Sequence, residues 1–155
     1  LKEPVITFYG DSYFDQDYIK DNSQRLFFYN KISKTSTIKN LKSVKEELFD
    51  RFGPIKGVAK NLFFLSEIRL LFSNTLVSKI EIMKDSLTFT LGDIDKEQDP
   101  LILINSLSCL EKDFSCQVRF KETVGELFVF TVSQTRNLKD VLRFVGRLFS
   151  SSEFV

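Results

Sequence analysis

The sequence of 155 residues contains no histidine and no tryptophan, and it has only two cysteines, three prolines and one methionine. Without histidine, neither a zinc site nor a Cys/His catalytic pair can be assembled from the two thiols. The sequence also lacks a phosphate-binding loop, a dinucleotide-binding fingerprint and a strand-turn-serine elbow. We therefore expect a non-catalytic chain with no cofactor and no metal site.

The charge is balanced, with 22 basic and 21 acidic residues and a formal net charge of +1. This balance lacks the electrostatic footprint of a free-standing nucleic-acid-binding protein. No apolar run approaches the roughly 20 residues of a membrane span, and the sequence does not open with a secretory pattern. We expect a soluble, cytoplasmic protein in which Cys109 and Cys116 are reduced core residues.

Phenylalanine, by contrast, is abundant, with 17 residues in a chain that is 43% hydrophobic. A chain of this length can bury roughly two-thirds of its unfolded surface without disulfides or metals. We therefore predict a single domain over residues 1–155 with an aromatic core.

The periodicity of the apolar residues predicts a short strand, three helices, a hairpin, a helix, a second hairpin and a last helix. In chain order these lie at 4–9, 25–34, 38–52, 58–73, 77–91, 100–112, 116–133 and 137–150. Helices first and hairpins afterwards favour an α+β fold, in which two further helices pack on the sheet. The acidic stretch from Gly92 to Asp99 lacks the central Gly and distal Glu of a calcium-binding loop, so we expect a solvated loop.

Four consecutive apolar residues lie in the first helix, which predicts that this helix is covered on more than one side. They are Leu26, Phe27, Phe28 and Tyr29.

The second helix has two distinct sides. Six apolar residues fall on the side that we expect to be buried, namely Ile38, Leu41, Val44, Leu48, Phe49 and Phe52. Glu47, Asp50 and Arg51 lie on the other flank, at positions i, i+3 and i+4. Gly53 and Pro54 then end the helix, because Gly can take the left-handed conformation and Pro cannot continue a helix.

The patch formed by Glu47, Asp50 and Arg51 has two interpretations that the spacing cannot separate. As a solvated helix face, Glu47 and Arg51 form an exposed pair worth about 0.3 to 0.5 kcal/mol. As a binding site, a mixed-charge patch beside a rigid corner suits an orientation-specific protein interface.

A wider pattern favours the second interpretation. It consists of the segments Tyr18–Asp21, Arg25–Ile32, Glu46–Pro54 and Ile68–Leu70, in this order and spacing. The pattern resembles the C-terminal domain of bacterial transcription-repair coupling factors, over about Val5 to Leu91. Members of that family often have a second Pro where this chain has Lys56, and the part from Gly92 onward (92–155) matches them only in general form.

The resemblance implies a regulatory domain of a larger, ATP-dependent DNA translocase, which displaces stalled RNA polymerase and recruits nucleotide excision repair. It implies that the domain packs against a UvrB-like N-terminal module of the same protein, hides the surface that binds UvrA, and restrains the motor until polymerase is engaged. The family's interdomain contact carries over onto Glu47, Asp50 and Arg51, which would pair with basic and aromatic residues of the module.

Two other classes of function stay open. The first is a nucleic-acid-binding accessory module, in which four lysines near the first helix junction meet phosphates: Lys31, Lys34, Lys39 and Lys42. Its binding to duplex DNA would depend strongly on salt, and the near-neutral charge argues against it. The second is a small enzyme, which would need a deep pocket with converging polar groups.

Overall fold

The computed structural model describes residues 2–92, 100–122 and 128–151. Within these ranges the chain forms five helices and a mixed five-stranded sheet, which confirms the predicted α+β class. The chain divides into two compact units. Gly10–Leu70 forms a helical unit, and the described residues of Leu1–Tyr9 and Leu71–Val155 form a sheet unit.

The helical unit contains three helices, α1 (Asn22–Ser33), α2 (Ile38–Phe52) and α3 (Ala59–Leu71, whose last residue belongs to the sheet unit). Side-chain caps fix where the first two begin. The carboxylate of Asp21 accepts a hydrogen bond from the Ser23 amide at 2.7 Å, and the Thr37 hydroxyl accepts one from the Asn40 amide at 3.1 Å. Each cap pairs an amide that has no partner inside its helix.

The core of the helical unit is one apolar cluster contributed by all three helices and by the arm before α1. Its buried members are Phe14, Ile19, Phe28, Ile32, Leu41, Val44, Leu48, Ala59 and Phe63. The arm is held through Phe14, whose amide donates a hydrogen bond to the Tyr29 hydroxyl at 2.7 Å.

Two predictions about helix burial are wrong. On α1, Leu26 and Phe27 are 61% and 53% exposed, so the helix is not covered on more than one side. On α2, Ile38 and Phe49 are 49% and 56% exposed. At 100° per residue, these two lie roughly a quarter-turn from the buried Leu48. The buried face of α2 is therefore narrower than the set of apolar residues on its helical wheel.

The sheet unit is built on strands β1 (Val5–Phe8), β2 (Val77–Ile82), β3 (Ser86–Leu91), β4 (Gln117–Glu122) and β5 (Phe128–Ser133). The strand order is β1-β2-β3-β5-β4. All neighbours are antiparallel except β1, which runs parallel to β2. β1 thus lies at one edge of the sheet.

Alternation places one set of apolar side chains on a single face of the sheet. Ile80 lies opposite Phe89, and Ile82 lies opposite Leu87. Phe89 in turn lies opposite Phe130, with the ring centres 4.8 Å apart. Such offset stacks add to the stabilisation from burial alone.

Two helices complete the sheet unit, α4 (Pro100–Phe114) and α5 (Leu138–Phe149). On α5, Phe149 stacks on Phe130 with ring centres 6.3 Å apart. Gly146 of the same helix is buried against Leu71 and Phe72. A Cβ atom there would come within 2.5 Å of Leu71, so only glycine fits without a shift.

The two cysteines have different environments, and the prediction that both are core residues is wrong for one of them. Cys116 is buried, whereas Cys109 is exposed, and both are free thiols. Cys109 points away from the buried stripe of α4, which consists of Leu103, Leu107 and Leu110 at helical spacing.

Some predictions fall on residues outside the described ranges. These are the acidic loop from Gly92 to Asp99, apart from Gly92 itself, and the turn of the second hairpin. In the part of the chain that is described, no helix has both the length and the apolar character needed to span a membrane.

Candidate functional site

The chain ends α2 and changes direction at Gly53, next to the candidate site; we call this point the Gly53 corner. The Gly53 amide donates a hydrogen bond to the Phe49 carbonyl oxygen at 2.9 Å and closes the helix. Gly53 has φ 83° and ψ −168°. The prediction of a left-handed helical conformation is wrong, because these angles lie in a different region that is essentially restricted to glycine. The predicted role of Gly53 as the helix stop is confirmed.

Tyr18, in the segment before α1, stabilises the Gly53 corner. Its hydroxyl donates a hydrogen bond to the Gly53 carbonyl oxygen at 2.9 Å, and its ring packs 5.9 Å from that of Phe52. Burial raises the pKa of the Tyr18 hydroxyl above its ordinary value, because the phenolate would lose solvation. The chain after α2 is therefore held at a fixed direction relative to the helix.

Glu47 is the centre of a charged cluster that joins α1 and α2. Its Oε2 atom accepts a hydrogen bond from Nζ of Lys31 at 2.5 Å. Its Oε1 atom lies 3.7 Å from Nη1 of Arg51, one helical turn further on. The side chains of all three residues are between 35% and 43% exposed, so the cluster lies at the surface.

Arg51 packs on aromatic rings as well as pairing with charge. Its guanidinium carbon lies 5.3 Å from the ring centre of Phe28 and 5.2 Å from that of Phe52. Phe28 and Phe52 themselves meet edge to face at 5.8 Å. A cation over an aromatic face is worth about 0.5 to 1 kcal/mol at exposed sites. The guanidinium therefore packs against two rings whose planes are nearly perpendicular, at 86°.

Asp50 differs from the other two predicted site residues. It is exposed, and among the described residues its carboxylate has neither a hydrogen bond nor an ion pair. The structure thus brings Glu47 and Arg51 into one cluster and leaves Asp50 beside it as an unpaired negative charge. Lys31 was not predicted to belong to this cluster, because its contact with Glu47 depends on how α1 packs on α2.

A shallow cleft of about 330 Å³ continues from the cluster between α1 and α2. It is lined by Lys31, Lys34, Thr35, Asn40, Ser43, Val44 and Glu47. Of the four lysines considered for nucleic-acid binding, two line this cleft, and the ammonium group of Lys31 is already paired with Glu47. Within the described ranges, no group of His, Cys, Asp and Glu residues could hold a metal ion.

Comparison with known proteins assigns the chain. Residues 10–101, more than half of the sequence, match the TRCF domain. The chain belongs to the TRCF domain family. The matched range contains the whole helical unit, and with it Lys31, Glu47, Asp50 and Arg51.

Individual relatives of this TRCF domain are named transcription-repair-coupling factors. The protein of Buchnera aphidicola is 38% identical over 72 residues, and that of Haemophilus influenzae is 38% identical over 65 residues. The protein of Bacillus subtilis is 26% identical over 83 residues. These alignments cover 46%, 42% and 54% of this chain and only 9%, 6% and 7% of the relatives.

A solved structure shares the fold of the TRCF domain described above. It is the crystal structure of the C-terminal domain of a transcription-repair coupling factor, with a TM-score of 0.71 at 18% identity. The superposition covers 97% of this chain and 92% of that one. It therefore includes most of the part after Gly92, where the sequence resemblance was only general.

Proposed function

We propose that this TRCF domain is a non-catalytic regulatory domain of a longer transcription-repair coupling factor, acting in the cytoplasm. It docks on a UvrB-like N-terminal module of the same protein and masks the surface that binds UvrA. While docked, it restrains an ATP-dependent DNA translocase that displaces stalled RNA polymerase and recruits nucleotide excision repair.

The observation that carries the proposal is the charged cluster beside the Gly53 corner. Beside it, Asp50 offers a carboxylate that is unpaired among the described residues, and Arg51 offers a guanidinium that packs on Phe28 and Phe52. Two opposite charges at adjacent positions suit a partner surface of complementary charge, because such pairs select orientation and partner. A purely solvated helix face would not need aromatic packing for its arginine.

A charged contact of this size also suits a clamp that must open. An intramolecular partner has a high effective concentration, so a modest interface is enough to keep the closed state populated. The same contact breaks when another ligand binds the open state more tightly. The relatives are more than ten times as long as their aligned segments, which leaves room for such a partner module.

The test is to change Glu47, Asp50 and Arg51 together to Ala in the full-length protein. If the contacts are desolvated in the closed state, their loss costs about 2 to 5 kcal/mol and shifts the equilibrium toward the open state by orders of magnitude. We expect UvrA binding without polymerase and faster basal ATP hydrolysis. Unchanged UvrA binding and unchanged ATPase activity would overturn the proposal.

A matched control is available on the same helix. Lys39, Lys42 and Lys45 are exposed on α2 and take no part in the cluster. Changing these three to Ala likewise removes three charged side chains from α2, and we expect it to leave UvrA binding unchanged. The same variant addresses the nucleic-acid alternative, since salt-dependent DNA binding that disappears with these lysines would support that function instead.

A further inference from the structure

We propose that the docking surface extends from α2 onto α1, where Phe27 is its apolar anchor and packs against an apolar side chain of the UvrB-like module. The inference rests on the proposed docking function, because it names a further residue of the same surface. Phe27 would add the apolar component that the charged residues Glu47, Asp50 and Arg51 do not supply.

Phe27 adjoins the charged cluster through two neighbours. The Nζ atom of Lys31 lies 5.5 Å from the centre of the Phe27 ring, and the same atom binds Oε2 of Glu47 at 2.5 Å. The ring of Phe28 meets that of Phe27 edge to face, with the ring centres 5.2 Å apart. The guanidinium carbon of Arg51 lies 5.3 Å from the Phe28 ring centre. Phe27 and the cluster are therefore parts of one continuous surface.

Phe27 is nevertheless not a core residue. It is 53% exposed, whereas Phe28 next to it is fully buried. About half of a large apolar residue thus stays in contact with water, and covering it would stabilise a complex. Lys31 and Phe28 already contact the ring before docking, so less conformational freedom is lost when a partner covers it.

An apolar ring beside a group of charges has the composition of a specific protein interface. Such interfaces have an apolar centre and a polar rim, and a few large side chains supply most of the binding energy. Charged pairs mainly select the partner and its orientation, and they contribute little where water reaches them. The side chains of Lys31, Glu47 and Arg51 are between 35% and 43% exposed. We therefore expect Phe27 to supply affinity and the charges to supply specificity.

Three other large apolar side chains are exposed on α1 and α2, namely Leu26, Ile38 and Phe49. Leu26 points about 100° away from Phe27 around α1, since each residue turns the helix by that angle. Ile38 and Phe49 point about 180° and about 160° away from Glu47 around α2. Of the four, Phe27 is the one that adjoins the charged cluster. Leu26, at 61% exposed, is its matched control.

The first measurement identifies what covers Phe27 in the full-length protein. The photoreactive residue p-benzoylphenylalanine replaces Phe27, and irradiation without polymerase or UvrA cross-links it to the C–H groups that it touches. Mass spectrometry then locates the attachment. The same residue in place of Leu26 is the control. We expect position 27 to cross-link to an apolar side chain of the UvrB-like module, and position 26 not to reach the module.

The second measurement is the affinity of the full-length protein for purified UvrA without polymerase. Loss of an interface anchor shifts the equilibrium between the closed and open states about 30-fold, so Phe27→Ala should bind UvrA about 30-fold more tightly than wild type. Phe27→Leu, which keeps most of the apolar surface, should lie closer to wild type. Leu26→Ala should match wild type. The ratio between Phe27→Ala and wild type should not change with sodium chloride, because salt screens charges rather than apolar contacts.

Two results would overturn the inference and leave the docking function in place. One is a cross-link from position 27 that stays within this domain. The other is equal UvrA affinity in Phe27→Ala and Leu26→Ala, while the Ala variant of Glu47, Asp50 and Arg51 binds UvrA more tightly than wild type. The cross-link does not require truncation of the ring, so it decides the question even if Phe27→Ala perturbs the fold. If the Ala variant of the three charged residues also binds UvrA like wild type, the docking function is wrong, and the role of Phe27 falls with it.

Discussion

The hydroxyl of Tyr18 donates a hydrogen bond to the carbonyl oxygen of Gly53 at 2.9 Å, so a residue before α1 fastens the corner that follows α2. This contact joins positions 35 residues apart in the sequence. It fixes the chain at the point where the backbone of Gly53 takes angles that other residues avoid. Tyr18 therefore stabilises the backbone at the end of α2, the helix that carries Glu47 and Arg51.

Changing Tyr18 to Phe should lower the free energy of unfolding by about 0.5 to 1.5 kcal/mol, the usual contribution of one hydrogen bond. The change should also alter the pH dependence. Because the folded-state pKa of Tyr18 lies above its unfolded value near 10, its contribution is complete below pH ~10 and decreases as the pH rises through the folded pKa. Urea denaturation between pH 7 and 11 measures both effects.

The control for this prediction is Tyr13→Phe, since Tyr13 is 48% exposed. Its urea midpoint should follow that of wild type at each pH. An equally steep alkaline decrease in Tyr18→Phe and in wild type would show that other groups cause the decrease.

A second prediction compares neighbours on α2. Leu48 is fully buried, and Phe49 is 56% exposed. Leu48→Ala should therefore destabilise the chain by about 2 to 5 kcal/mol, through lost burial and the cavity that it leaves. Phe49→Ala should change stability by less than about 0.5 kcal/mol, although it removes the larger side chain. Denaturant midpoints that rank the two variants in the opposite order would contradict the observed phase of the helix.

A third prediction concerns Gly146. An alanine Cβ would lie 2.5 Å from two Leu71 carbons and 3.2 Å from a Phe72 ring carbon. Overpacking of this kind costs about 1 to 3 kcal/mol, partly offset by the roughly 1 kcal/mol advantage of Ala over Gly in a helix. Thermal denaturation should show a lower midpoint for Gly146→Ala, whereas Arg147→Ala, at the exposed next position, should match wild type.

Much of the fold could be predicted because it depends on local chemistry. The bounds of the second helix, its stop at Gly53 and the first hairpin each depend on residues that are close in the sequence, and the structure confirms all three. The burial of residues at the edge of an apolar helix face is harder to predict. Whether Phe49 packs or faces solvent depends on neighbouring elements that the helical wheel does not contain.

The strand order could not be predicted from the sequence, for a similar reason. The pairing of Ile6 with Ile80 joins segments more than 70 residues apart, and periodicity within each segment does not identify its neighbour. The same limit applies to the site. The contact between Lys31 and Glu47 depends on how α1 packs on α2. Local sequence patterns do not contain this information, so they do not show that the two charges pair.

The last prediction separates the three predicted interface residues by stability. Arg51→Ala should lower the free energy of unfolding by about 1 kcal/mol, because it removes two ring contacts and one ion pair. Glu47→Ala should lower it by about 0.5 to 1 kcal/mol through loss of its exposed pairs. Asp50→Ala should leave it within about 0.5 kcal/mol of wild type, since Asp50 pairs with nothing among the described residues.

Binding of each single variant to the UvrB-like module then shows which charge acts on the partner directly. Asp50→Ala should lose affinity without losing stability, because its whole effect comes from the interface. Asp50→Asn, which keeps the shape and removes the charge, should lose a similar amount if the partner group is basic. Asp50→Ala could instead bind as well as wild type while Glu47→Ala and Arg51→Ala bind poorly. That result would place the interface at Glu47, Arg51 and the cleft between α1 and α2, and would exclude Asp50 from it.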